Sequence, residues 1–283
     1  GTNSYGGATL VSNGTLVLGK AHAAPGNVTV ADGATLGCWS DTPGESVHLP
    51  SATLGVTTGA GLLAQFSGTI GNPSSPAGYI TNLTLTGTTA ISVLCNGIQA
   101  GTIPLFQYST LSGTGSLTTG TLPQGVVGTI TNNTTTKTIS LVVSGFTPLV
   151  WSGANSSSWD INVSTNWLLG GLPAAYQDGA SFCLFDDTAV NENVVLTQTV
   201  SPGSIVFSNN SVAYNVGTSG SGALGGTAGL TKTGTNTLIL SGVNTYLGTT
   251  LISAGTLQLG DGGTAGSLAT GGSIQVDAGA TLV

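Results

Sequence analysis

Arginine and methionine are absent from this 283-residue sequence. Lysine occurs three times, at Lys20, Lys137 and Lys232, against ten acidic residues, so the net charge is −7 and only 5% of residues are charged. Without a basic cluster to neutralise successive phosphates, no nucleic-acid partner is expected. The same lack of Lys/Arg runs argues against anionic lipid. No stretch approaches the roughly 18 uninterrupted apolar residues of a membrane helix, so no membrane insertion by this segment is expected. Two histidines (His22, His48) and three scattered cysteines (Cys38, Cys95, Cys183), with no C-x-x-C pair, leave no metal-ligand set. The cysteines read first as buried apolar thiols, second as one disulfide plus a leftover thiol, and last as a nucleophile paired with His22 or His48. Helix is also missing: no window of a dozen residues carries a 3.6-residue apolar stripe, and frequent Gly and β-branched residues disfavour it.

What remains is aliphatic residues set among Thr, Ser, Asn and 46 Gly. "ATLVSNGTLVLG", "GNVTVADGATLG", "ITNLTLTGTTAISV", "TNTLILSG" and "TTLISAGTLQLG" each hold four to eight residues of period-two alternation closed by Gly, Asn or Asp, the pattern of a strand and turn. Residues 1 to 19 and 242 to 260 share 12 identities in 19, and "VTVADGATL" (28 to 36) returns as "IQVDAGATL" (274 to 282). The chain thus spans one long period of about 241 residues plus an overlap. Near-copies recurring unchanged favour a stack in which every rung meets its own likeness, over a sandwich whose strands differ in partner.

The expected fold class is therefore all-β, a parallel β-helix (β-solenoid) with loop-rich interruptions near 37 to 50, 70 to 80 and 151 to 190. At about 20 to 25 residues per coil and about 4.8 Å between strands, on the order of twelve coils would make a rod roughly 55 to 60 Å long. Leu257 and Leu259 are expected to point inward and Thr256 and Gln258 outward, with Gly255, Gly260 and Gly279 supplying positive φ at corners. Stacked Asn and Thr side chains are expected to bond rung to rung.

The segment "GLTKTGTNTLILSGVNTYLGTTLISAGTLQLG" (229 to 260) resembles the autotransporter-associated β-strand repeat of bacterial passenger domains. The resemblance rests on Gly229, Lys232, Leu238, Leu240, Asn244, Tyr246, Gly248, Leu257, Leu259 and Gly260 in the family order, with residues 1 to 19 similar to the second half of another copy. "WSGANSSSWDINVSTNW" (151 to 167) with "GASFCLFDD" (179 to 187) is similar to the connecting module that often precedes the repeat. The resemblance implies a β-solenoid exported to the bacterial cell surface or beyond, as stalk, adhesin or fibre. The organisation reads as a half-repeat and following coil (1 to 36), solenoid coils (37 to 150), the Trp-containing module (151 to 190) and further coils including the repeat (191 to 283). No strand pattern after residue 228 is that of a membrane barrel.

Chemistry is sparse. Asp186 and Asp187 form the only adjacent acidic pair, and successive strand residues face opposite ways, so turn capping is favoured over a glycosidase pair or a calcium ligand. Polysaccharide lyase chemistry lacks its basic residues. Lys232 reads as structural, with an isopeptide crosslink as a remote alternative. Asn13, Asn82 and Asn162 stand in Asn-x-Ser/Thr triplets that chance explains. Trp39, Trp159 and Trp167 are candidate glycan contacts, since an indole face stacks on a pyranose, although core packing or capping is the plainer role for all four tryptophans, Trp151 included. No catalytic residue, cofactor or metal is expected, and the chain is not expected to be an enzyme. "GTNSYGG" enters mid-repeat and "GATLV" stops inside a strand, so the expected partner is another copy, in covalent tandem or head to tail, forming a fibre. The alternative function is a passenger adhesin that binds glycan or another surface.

Overall fold

The computed structural model describes residues 6–20, 26–41, 44–67, 72–95, 98–179, 181–269 and 271–283. Every helix or strand assigned among them is a strand. The chain divides into two compact units, Gly1–Gly145 and Phe146–Val283.

In the first unit β1 (Thr9–Val11), β2 (Thr15–Gly19), β3 (Val28–Val30), β4 (Thr35–Ser40), β5 (Val47–Leu54), β6 (Gly61–Phe66), β7 (Gly78–Leu85), β8 (Thr88–Leu94), β9 (Gly101–Gly113) and β10 (Ser116–Thr119) alternate between two sheets. The odd strands pair in the order β1-β3-β5-β7-β9 and the even ones as β2-β4-β6-β8-β10, all in parallel. Parallel neighbours need a connection of a dozen residues or more; here that connection carries the strand of the opposite sheet. Registers put like on like. Val30, Leu54 and Leu85 form one inward column, and Leu36, Leu62 and Ile91 form a facing one, all of them buried. Outward, Thr29, Thr53, Thr84 and Ser112 line up, and Thr84 bonds Ser112 at 2.9 Å.

The parallel order stops at β9. The next strands, β11 (Val126–Asn133) and β12 (Thr138–Phe146), extend the odd sheet, with β12 antiparallel to β9 and β11 at the edge. Alternation alone does not carry strand direction, so the expectation of solenoid coils over 37 to 150, interrupted near 37 to 50 and 70 to 80, did not include this turn-back. The interruption expected at 37 to 50 is also shorter, because residues 37–40 belong to β4 and 47–50 to β5.

The second unit begins with β13 (Leu149–Trp151), β14 (Ser158–Trp159), β15 (Trp167–Leu169) and β16 (Leu172–Ala174). β15 and β16 fold back antiparallel on the edge of β13. That places Pro173, which has no N–H to offer a further strand, at the sheet margin. Parallel rungs follow: β17 (Phe182–Phe185), β18 (Asn193–Leu196), β19 (Thr199–Val200), β20 (Ser204–Phe207), β21 (Tyr214–Thr218), β22 (Ala223–Leu224), β23 (Leu230–Lys232), β24 (Thr237–Leu240), β25 (Gly242–Val243), β26 (Thr250–Ile252), β27 (Thr256–Leu259), β28 (Gly266–Ser267), β29 (Ile274–Val276) and β30 (Thr281–Leu282). They build one ladder β13-β17-β20-β23-β26-β29, a second β14-β18-β21-β24-β27-β30, and short pairs β19-β22 and β25-β28.

Ile205, Leu230, Thr250 and Ile274 are successive partners, so each rung set takes about 20 to 25 residues, the spacing the repeats predict. In the first unit Val28, Ala52, Leu83 and Leu111 are successive partners, and the step widens to about 30 residues as the strands lengthen. Leu257 is buried as expected, whereas Leu259 is only half-buried.

Candidate binding face and the repeat motif

The residues that carry the family resemblance hold rungs of the second unit together. Leu238, Leu240 and Leu257 fill the core. Asn244 spans three rungs: its Oδ1 accepts the Leu224 amide at 3.1 Å, and its Nδ2 donates to the Ser267 carbonyl at 3.3 Å. The Tyr246 hydroxyl meets Thr250 Oγ1 at 2.7 Å, with both groups buried. Gly229 and Gly248 are required by close approach. A Cβ on Gly248 would lie 2.4 Å from the Ala228 carbonyl carbon, and one on Gly229 would lie 2.6 Å from the Thr249 oxygen. Gly260 has φ +92 at its corner, as expected, and Gly255 and Gly279 also have positive φ.

Lys232 is fully buried. Its ammonium donates to the Gly234 carbonyl and, at 3.4 Å, to the Ala254 carbonyl one rung on. Desolvation pulls its pKa down to about 8.

The carboxylates sit mostly in turns. Asp32 accepts from the Thr57 hydroxyl at 2.6 Å and from the amides of Val56, Thr57, Thr58 and Gly59 in the following turn. The Thr57 hydroxyl first, then the Val56 and Gly59 amides, hold its carboxyl well below the usual range. Asp187 does the same one unit later, accepting the Asn210, Ser211 and Val212 amides, and the Ser211 amide leads in lowering its pKa. Asn210 in turn accepts the Thr235 amide at 3.2 Å. These rung-to-rung clamps were not singled out from sequence. The signal available was an Asp or Asn in one turn about 25 residues before a Gly- or Ser-rich turn. Asp186 caps its own turn through Thr188 N and Oγ1 at 2.9 and 2.6 Å, so the acidic pair separates into an intra-turn cap and an inter-rung clamp.

The candidate glycan tryptophans separate too. Trp159 and Trp167 are 0% and 1% exposed, packed edge-on at 5.0 Å in a cluster with Trp151, Tyr176 and Phe185. Neither indole has a face left for a sugar. The loop over this cluster is tied by buried Asn166, whose Nδ2 donates to Ser156 Oγ and the Ser158 carbonyl, both at 2.8 Å, while Oδ1 accepts the Asn155 and Ser156 amides at 3.1 and 2.8 Å. Trp39 differs. It is 38% exposed on the outer face of the even sheet of the first unit, in the row Gly19–Trp39–Gln65–Leu94, with Nε1 bonded to Ser67 Oγ at 2.8 Å. The indole lies over Gly19, at ordinary contact distance from where a Cβ there would stand, 3.5 Å.

Cys38, Cys95 and Cys183 are buried, and burial pushes the Cys38 thiol up to about 12, far from thiolate chemistry at neutral pH. His48 stacks on Tyr79; His22 lies outside the described residues. Among the described residues no group of three His, Cys, Asp or Glu converges as a metal site, and no helix is long and apolar enough to cross a membrane.

The described residues thus form an all-β arrangement, built largely of parallel ladders whose rungs are tied by side-chain hydrogen bonds. The family described as passenger-associated-transport-repeat matches residues 1–18 and 230–259, so the chain carries that repeat at both places. The second match runs over β23 to β27, where the buried Lys232, Asn244 and Tyr246 stand. No curated protein matches the chain, and no solved structure does.

Proposed function

We propose that this chain is a structural segment of a secreted bacterial passenger. In this reading each unit is a β-solenoid, and the 241-residue period is one repeat of a cell-surface fibre or stalk, joined to further copies in covalent tandem or head to tail. The observation that carries the reading is the register. Identical or near-identical residues stack on one another, and side chains such as Asp32, Asp187 and Asn244 spend their hydrogen bonds on neighbouring rungs. A stack with so few charges gains cohesion from repetition, each rung stabilising the next. The carboxylates of Asp32 and Asp187 serve turns, so the reading assigns no catalytic residue. An adhesin role has narrower support, confined on the even sheet to the single exposed indole of Trp39.

The test uses the internal period. Because residues 242 to 260 repeat residues 1 to 19, polypeptides in which residues 1–241 occur once, twice or three times before 242–283 join in register. Electron microscopy is expected to show particles lengthening by an equal increment per added copy. Compact particles of unchanged aspect ratio would overturn the proposal.

A further inference from the structure

On the outer face of the odd sheet in the first unit, His48, Tyr79 and Gln107 form one row across β5, β7 and β9. The His48 and Tyr79 rings stack with centroids 5.0 Å apart and planes 2° from parallel. Beside this row each strand bends and sets two residues outward in succession: Pro50 and Ser51, Thr81 and Asn82, Ser109 and Thr110. At the bend three carbonyls are met by side chains, two from the next strand and one from the turn between β11 and β12. Asn82 Nδ2 donates to the Pro50 oxygen at 3.3 Å, Thr110 Oγ1 to the Thr81 oxygen at 3.2 Å, and Lys137 Nζ to the Ser109 oxygen at 2.8 Å. Between the row and the bend lies a cavity of about 120 Å³ lined by His48, Tyr79, Thr81, Gln107 and Ser109, among others. Among the described residues, the Gln107 amide and the Thr81 and Ser109 hydroxyls have no hydrogen-bond partner in the protein.

Charge singles out Lys137. Lys20 is paired with Asp41 and Glu45, and Lys232 is buried. Among the described residues Lys137 is thus the one exposed ammonium without an ion pair, in a chain of net charge −7. The carboxylates of its own unit are engaged elsewhere, Asp32 in the turn after β5 and Asp41 and Glu45 on Lys20.

We propose that this groove binds an acidic saccharide, a hexuronate unit whose carboxylate pairs with Lys137 and whose hydroxyls bond Gln107, Thr81 and Ser109 beside the Tyr79–His48 stack. An aromatic surface set among a few polar groups is the make-up of a sugar site. An acidic peptide offers Lys137 the same charge but lacks the hydroxyls that Gln107, Thr81 and Ser109 would bond. The site is separate from Trp39 and goes beyond the structural reading, so the two can fail independently.

The experiment is calorimetric titration of the whole chain at low ionic strength with trigalacturonate, with its neutral counterpart galactotriose, and with triglutamate. Trigalacturonate is expected to bind more tightly than either of the others. Lys137→Asn is expected to weaken it by about fivefold, the most an exposed ion pair contributes, and to bring it level with galactotriose. Asn tolerates the φ of +54 at this position, so the turn is kept. Gln107→Ala, which removes no charge, is expected to weaken both sugars. No binding of trigalacturonate, binding unchanged by Lys137→Asn, or equal binding of triglutamate would each overturn the assignment.

Discussion

At the scale of the residue, Lys232 shows how a charge is kept inside an almost uncharged chain. Its ammonium satisfies the Gly234 and Ala254 carbonyls, yet desolvation lowers its pKa from the ordinary 10.5 to about 8. The unfolded chain therefore holds this proton across a window in which the folded chain has released it. The Lys232 contribution to stability then rises as pH increases from about 8 towards 10.5, by at most about 3 kcal/mol, while the buried thiols of Cys38 and Cys183, held protonated above their ordinary range, lower stability over the upper part of the same window. Denaturant unfolding from pH 7.5 to 10.5 is expected to show the native chain gaining stability relative to Lys232→Met as pH rises, since the thiol contributions are common to both. An equal slope in the variant would show that the proton belongs to another group.

Elements owe their fit to single polar side chains as much as to their apolar columns. Asn166 ties the loop between β13 and β15 through four hydrogen bonds while itself fully buried. Asn166→Ala would leave the Asn155 and Ser156 amides and the Ser158 carbonyl without that partner, at about 2 to 3 kcal/mol. A lower denaturation midpoint, read by the fluorescence of Trp151, Trp159 and Trp167 that this loop covers, is the expected outcome. An unshifted midpoint would mean that water replaces the amide at no cost. The antiparallel strands have a related role. β12 against β9, and β15 with β16 against β13, extend parallel ladders with strands of opposite sense, which covers the edges of β9 and β13 and moves the free edges to β11 and β16.

For the whole molecule, two compact units imply two cooperative unfolding events rather than one. Three of the four tryptophans lie in the second unit and only Trp39 in the first. In Trp39→Phe, indole fluorescence reports the second unit alone, whereas far-ultraviolet circular dichroism reports both. The two denaturation curves are expected not to coincide. Superposable curves would mean that the units unfold as one.

Strand content, the rung length of the second unit and most inward positions were legible in the sequence, because a period of two and the recurrence of "GTL-x-LG" report burial and self-stacking directly, whereas the wider step of the first unit was not. The buried station of Leu257 follows from that alone, and so does the corner φ of Gly255, whereas Leu259, inward by the same pattern, is only half-buried. Strand direction was not legible, since alternation is the same for a parallel and an antiparallel neighbour; only the pairing of β12 with β9 reveals where the stack turns back. Tertiary structure also decided which tryptophans meet solvent, as Trp39 and Trp159 both stand in strands and differ only in what packs over them. It likewise brought His48, Tyr79, Gln107 and Lys137 to one groove from positions about 30 residues apart, a proximity set by the length of each rung.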